Sequence, residues 1–249
     1  MICAIMQPTF NPWLGYFDLI DQSDVFVLYD DVQLSKQSWQ VRNRIKSANG
    51  ELFLSIPYNK GDDWRELLIC NATTNELMPW RKKHLKSIEN AYCKAPYFKE
   101  VWPLVVDFYN PNFNTIATFN SNIIKQIAAK IGITSEIIHS SDMKNSEGTK
   151  DLRLANMCKA LNVTNYLSPQ GSADYIEEFS PGGELVKANI EVFYHHYKHP
   201  IYSQINREFI PYMGIIDLLF NVGFNDSLKV IREGRLDSVS YKKFNKNNS

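Results

Sequence analysis

The opening of the chain constrains its fold most. Ile2-Cys3-Ala4-Ile5-Met6 is an unbroken apolar run of strand length, and Val25-Phe26-Val27-Leu28 is a second. Between them stand the breaker-rich Gln7-Pro8-Thr9-Phe10-Asn11-Pro12 and a helical stripe of Leu14, Phe17, Leu19 and Ile20. Asp18, Asp21 and Gln22 supply that helix with its polar positions. Strand, loop, helix and strand within about thirty residues form a βαβ unit, because parallel strands need a crossover that a hairpin cannot provide. The unit predicts an α/β protein with a mostly parallel sheet. Ligands of such sheets gather at the carboxyl ends of the strands, where the loop 7–13 and Asp30-Asp31 fall.

The rest of the chain fits the same class. Asn49-Gly50 is a turn signal between the segments 42–45 and 52–56, which predicts a hairpin. Trp80, His84, Ile88 and Tyr92, with Leu85 beside them, lie on one helical stripe that Pro96 ends. Further helices are predicted over 99–108 and 115–131, the second capped by Gly132, so the region near 76–132 reads as a mainly helical insertion. Strands are predicted over 136–139, 165–167 and 190–197, the last of them closing the sheet. Helices are predicted to start at 146–149 and 174–176, and to run over 212–221 and 226–232. These elements predict one α/β domain over 1–235, followed by a polar, disordered tail over 236–249.

Composition narrows the partners. A chain of 249 residues, 44% hydrophobic and 22% charged, can bury a substantial core. Lys+Arg 27 balances Asp+Glu 27, so no overall charge draws the protein to nucleic acid. The N-terminal apolar run is too short for a signal peptide, and no stretch approaches the ~18 apolar residues of a membrane span, so the expected location is the cytoplasm. None of the four cysteines forms a C-x-x-C pair; reduced thiols are expected, with Cys3 and Cys158 in the core. Aromatic residues make up 13% of the chain, which suits a dense core or a pocket that stacks on sugar or base rings.

Several clusters carry possible chemistry. In Gln7-Pro8-Thr9-Phe10-Asn11-Pro12-Trp13-Leu14-Gly15-Tyr16, two prolines preset the backbone before a helix N-terminus, whose free N–H groups suit an anion. Gly15 is expected to clear space there for a ligand, and Trp13 and Tyr16 to bind it or to pack the core. Asp30 and Asp31, at a strand end beside Gln33, are candidate bases, turn caps or metal ligands. Trp39 offers a stacking face, and Arg42 and Arg44 offer forked donors for phosphate, or simply a solvated strand face. Ser168-Pro169-Gln170-Gly171-Ser172 is a strand-end turn that could cradle an anion. Tyr194-His195-His196-Tyr197-Lys198-His199 holds three of the five histidines. With no fixed partner visible, a metal set is not expected there; the histidines are read as packing or surface residues, or one of them as an acid, base or donor. His84, alone on an apolar helix face, is expected to be a satisfied core histidine.

The first loop is similar to the strand–loop–helix of nucleotidylyltransferases. Asn11-Pro12-Trp13-Leu14-Gly15-Tyr16 keeps their Pro and Gly spacing, with Trp13 and Tyr16 in place of the two histidines. Taken in order, the chain resembles the WbqC-like family more widely. The matching stretches are Gln7-Pro8-Thr9-Phe10, Pro12-Trp13-Leu14-Gly15-Tyr16, Asp30-Asp31-Val32-Gln33, Ser38-Trp39-Gln40, Arg42-Asn43-Arg44, Ser168-Pro169 with Gly171, His199-Pro200 with Tyr202, and Asp217-Leu218-Leu219-Phe220-Asn221. Asn11, Val41 and Gly214 depart from the pattern, where an aromatic residue, Asn and Ser are usual.

The resemblance implies a role in O-antigen or capsule biosynthesis. The expected activity is on a nucleotide-linked amino sugar, by acyl or aminoacyl transfer to the amine. An ATP-using ligase or nucleotidyl transferase, and a non-catalytic partner of a polysaccharide assembly complex, are the alternatives. His199, Asp30 or Asp31 would take the amine proton, and Gln7, Pro8, Trp13, Gly15, Tyr16, Gln33, Trp39, Arg42, Asn43, Arg44, Ser168, Gly171 and Tyr202 would bind substrate. Neither a cofactor nor an oligomeric state follows from these motifs.

Overall fold

The computed structural model describes residues 1–61, 66–206 and 208–244. Its first three elements are those of the βαβ unit: β1 (Ile2–Met6), α1 (Leu14–Asp21) and β2 (Val25–Leu28). A hairpin follows, β3 (Arg42–Ser47) and β4 (Gly50–Ser55), turning at Gly50 with a φ of +100° that suits glycine. Then come α2 (Trp80–Tyr92), α3 (Phe98–Phe108) and α4 (Ile116–Ile131). Thr115 opens α4 with a reciprocal hydroxyl cap to Thr118, and Gly132 closes it at φ 88°. The remainder is β5 (Glu136–His139), α5 (Lys150–Ala160), β6 (Asn165–Ser168), α6 (Ala173–Ile176), α7 (Gly183–Lys187), β7 (Glu191–Tyr197), α8 (Ile215–Val222), α9 (Phe224–Glu233) and β8 (Arg235–Ser240).

Among the described residues one sheet has the order β5-β2-β1-β6-β7-β8. All its neighbours run parallel except β7 and β8. The chain is thus the α/β protein that its first thirty residues imply. Strand alternation sends side chains to two layers. Cys3, Ile5, Val25 and Val27 pack with α5, α6 and α7 on one face. Ala4, Phe26 and Leu28 pack on the other with α1, α2, α3, α4, α8 and α9.

Two expectations need correction. The strand over 191–197 does not close the sheet: β8, which takes in residues 236–240 of the expected tail, runs along its edge, while 245–249 lie outside the described residues. The polar content of that segment hid a half-exposed edge strand, which needs few apolar residues. Helix α5 starts at Lys150, after an N-cap at Thr149. Asp18, one of the polar positions of α1, is fully buried. Cys3, Cys158 and His84 are buried, as expected of core residues. Among the described residues no helix is long and apolar enough to cross a membrane.

Candidate functional site

In chain order the five parallel strands β1, β2, β5, β6 and β7 lie 3-2-1-4-5 across the sheet. Connections leave in opposite directions from β1 and β6, and a crevice opens where they part, at the strands' carboxyl ends. The crevice has three adjoining compartments, all touching Met6 at the end of β1. The first, about 240 Å³, is walled by Met6, Thr9, Trp13, Tyr16, Trp39, Asn43, Arg44 and Tyr212. The second, about 620 Å³, adds Ile5, Gln7, Tyr29, Gln40, Lys150, Leu154, Pro169, Gly171, Ser172 and Tyr175. The third, about 240 Å³, lies between Trp13, Gly15, Tyr16, Leu19 and the pair His195 and Tyr197, closed by Pro169, Gln170 and Gly171.

Local hydrogen bonds explain the shape of the first wall. Asn120 Nδ2 donates to the carbonyls of Pro8 (2.9 Å) and Gln40 (2.8 Å), and Asn43 Nδ2 to those of Phe10 (3.0 Å) and Asn11 (2.8 Å). Two buried amides therefore pin the loop after β1 to the hairpin side. Asn11 turns that loop with a left-handed φ of 44°, a conformation Asn tolerates. The Tyr16 hydroxyl donates to the Gln7 carbonyl at 3.1 Å, and Gln40 Nε2 donates to Gln7 Oε1. Gly15 serves Trp13 more than a ligand: a Cβ there would lie 2.2 Å from the indole, which crosses the first turn of α1. Trp13 is held in turn by Tyr197 and Tyr212 edge-on and by the stacked ring of His199. Trp39 stays 51% exposed, a free aromatic face between the first two compartments.

Cations reach two compartments. Arg44 Nη1 is 2.9 Å from both carboxylate oxygens of Glu51 and its Nε donates to the Tyr212 carbonyl at 3.2 Å, so its fork is fixed at the rim of the first. Lys150, paired with Glu178 at 2.6 Å, borders the second. In the third, His195 Nε2 lies 2.7 Å from Asp18 Oδ2, and Arg235 Nε donates to Asp18 Oδ1 at 2.8 Å. Among the described residues no group of three or more His, Cys, Asp or Glu is placed to share a metal ion.

The crevice thus brings together Gln7, Trp13, Gly15, Tyr16, Trp39, Asn43, Arg44 and Gly171 from the residues nominated by sequence. The others lie elsewhere. Asp30 turns toward the end of β5, where it meets His139 Nδ1 at 2.7 Å, the Ser141 amide at 3.0 Å and the Ser141 hydroxyl at 3.1 Å. Burial alone would push its carboxyl up, but the hydrogen bonds from His139 and Ser141 prevail and hold it below the usual carboxylate range. Asp31 is bound by Ser140 and Arg153. Gln33 bridges to Leu68, and Arg42 lies over the Phe53 ring. Pro8 and Ser168 are buried and line none of the three compartments, and the Tyr202 hydroxyl turns inward to Asp217 at 2.7 Å. His199 backs Trp13; its Nδ1 bonds the Pro200 carbonyl at 2.8 Å, and burial lowers its pKa despite that bond.

Sequence reasoning missed Tyr212, Tyr175, Lys150 and the Asp18–His195 pair as parts of one place. The histidine cluster was the only local signal, and Asp18 stands 177 residues from His195.

No solved structure matches the chain significantly. It is 32% identical over 222 residues to the uncharacterised protein Rv1507c of Mycobacterium tuberculosis, covering 88% of this chain and 93% of that one. The profile of the WbqC-like family matches residues 7–228, which span the crevice walls from Gln7 to Tyr212. With the collinear motifs and nearly the whole length accounted for, this chain belongs to the WbqC-like protein family.

Proposed function

We propose that this chain is a cytoplasmic enzyme of surface-polysaccharide biosynthesis that binds a nucleotide-linked amino sugar in the crevice and acylates or aminoacylates its amine. The observation that carries the reading is the crevice at the β1–β6 parting, walled by Trp13, Tyr16, Trp39 and Tyr212 and rimmed by Arg44 and Lys150. Aromatic faces suit the flat base and the apolar face of a sugar. Fixed cations suit a diphosphate. Three connected compartments give room for a donor beside an acceptor, as a transfer reaction requires. The family resemblance supplies the polysaccharide context.

Calorimetry with UDP-linked hexosamines tests it. Wild-type protein should bind, and Trp39→Ala should weaken binding by about 1–3 kcal/mol, the worth of one base–aromatic stack. No binding of any nucleotide sugar would sink the proposal and favour a non-catalytic role. A second reading, an ATP-using ligase or nucleotidyl transferase, draws on the same βαβ start and strand order. Against it, Trp13 and Tyr16 cannot supply the charge of the two histidines in the corresponding loop. Binding of ATP in preference to the sugar nucleotide, with pyrophosphate or AMP released, would favour it.

A further inference from the structure

The third compartment holds a pair with a defined polarity. Asp18 is fully buried in the second turn of α1, and His195 is 8% exposed at the carboxyl end of β7. A carboxylate accepts hydrogen bonds, so with Asp18 Oδ2 at 2.7 Å the neutral imidazole carries its proton on Nε2 and its lone pair on Nδ1. Arg235 Nε donates to the other Asp18 oxygen at 2.8 Å and Gln22 Nε2 to Oδ2 at 2.7 Å, so both carboxylate oxygens are held. No hydrogen bond to His195 Nδ1 is present among the described residues, and the ring forms part of the compartment wall. Tyr197 stacks on that ring at 5.9 Å and 20°. The β7–β8 register slips between Tyr194 and His196, a local irregularity of the kind that re-aims a side chain beside an active site.

The other acceptors named by sequence are less well placed. Asp30 and Asp31 are spent on β5, the serines after it and Arg153. His199 Nε2 is buried without a partner, but its ring lies behind Trp13 rather than in a compartment wall.

We propose that His195 accepts the proton of the nucleophile in this crevice and that Asp18 is the positioning residue that keeps it in the Nε2–H tautomer; this rests on the acyl-transfer reading above. In that step the sugar amine nitrogen bonds to the carbonyl carbon of an activated acyl donor, such as a thioester. The bond from that carbon to the leaving sulfur breaks. The amine proton passes to His195 Nδ1 and then to the departing thiolate, so the imidazole ends neutral, as it began. Turnover should fall about 10²–10⁴-fold in His195→Gln, the usual contribution of a positioned base.

The test uses the full chain and diethyl pyrocarbonate, which acylates an unprotonated imidazole nitrogen, with modification read site by site by mass spectrometry. His196, exposed on the same strand, is the internal reference. A UDP-linked hexosamine should protect His195 and not His196. Asp18→Asn should slow acylation of His195 relative to His196 by about tenfold or more, as expected when the tautomer is lost. Because that substitution disturbs a buried pair, ¹⁵N spectra of wild-type protein provide a second measurement, in which the His195 proton should be on Nε2. A proton on Nδ1, or a His195 rate indifferent to Asp18→Asn, overturns the assignment even if the sugar nucleotide binds. A correct tautomer and an Asp18-dependent rate without protection support the pair and overturn the substrate class instead.

Discussion

His84 uses both ring nitrogens in the core: Nε2 lies 3.0 Å from the Ser55 carbonyl and Nδ1 3.3 Å from the Tyr109 hydroxyl. That pattern suits a neutral ring donating through Nε2 and accepting at Nδ1. Burial lowers its pKa to about 4, against the opposing effect of the hydrogen bond to the Ser55 carbonyl. The unfolded chain, with histidine near 6.5, therefore binds a proton that the folded chain refuses between about pH 6.5 and 4. The stability present above that window is lost as pH falls through it, on the order of 3 kcal/mol. Urea unfolding across the window should show this slope in wild-type protein and a shallower one in His84→Gln. An unchanged slope would assign the acid sensitivity to other groups. At the same scale, Asn11 and Gly214, two of the family departures, meet directly: a Cβ on residue 214 would fall 1.9 Å from Asn11 Nδ2. Local reading identified His84 because its apolar neighbours recur at helical spacing. It had no means to pair positions 11 and 214.

Between β7 and α8 the described residues 198–206 and 208–213 form no helix or strand, yet they are anchored. Buried Asp217 on α8 accepts from Tyr202 (2.7 Å), Tyr92 (2.8 Å) and Gln204 (2.8 Å). Burial pushes the Asp217 carboxyl up, and these donors and the charge of Lys46 only partly offset it. Gln204 Oε1 accepts from the Ile210 amide at 2.9 Å, and Asn221 Oδ1 from that of Ile205 at 2.7 Å. Long segments of this kind are commonly functional, and this one delivers Tyr212 to the crevice and His199 to the back of Trp13. Tyr202→Phe leaves one acceptor short at a cost of about 1–3 kcal/mol. Hydrogen exchange at Ile205 and Ile210 should then quicken by roughly ten- to a hundredfold, with the β3–β4 hairpin unaffected. Equal exchange in both proteins would show that the segment is held by its aromatic contacts alone.

Across the whole molecule, the end of the chain fastens its beginning. Strand β8 covers the edge of β7, and Arg235 on it reaches Asp18 and Asp21 on α1, while Arg232 on α9 reaches Asp21 at 2.7 Å. Ending the chain at Gly234 removes the edge strand and takes Arg235 from buried Asp18, leaving His195 and Gln22 as its partners. Arg235 is 32% exposed and two donors to Asp18 remain, so its loss should cost about 1–3 kcal/mol, and with the edge strand gone the truncated protein should unfold at lower denaturant. Arg235→Gln, which keeps the β8 backbone, should lose less. Equal midpoints for the truncation and wild type would remove β8 from the account of stability.

The α/β class, most strand positions and the three middle helices were legible because they depend on short-range periodicity and on breakers such as Pro96 and Gly132. The aromatic loop 7–16 and the exposed Trp39 were legible as candidates for the same local reason. The tertiary structure alone decided which candidates share a crevice. It turned Asp30, Asp31 and Tyr202 into other networks, set Gly15 beneath Trp13, made an edge strand from a polar tail, and joined Asp18 to His195 across 177 residues. Periodicity reports which face of an element is buried. Which partner a buried polar group finds depends on strand order and register, and these are set when distant elements pack together.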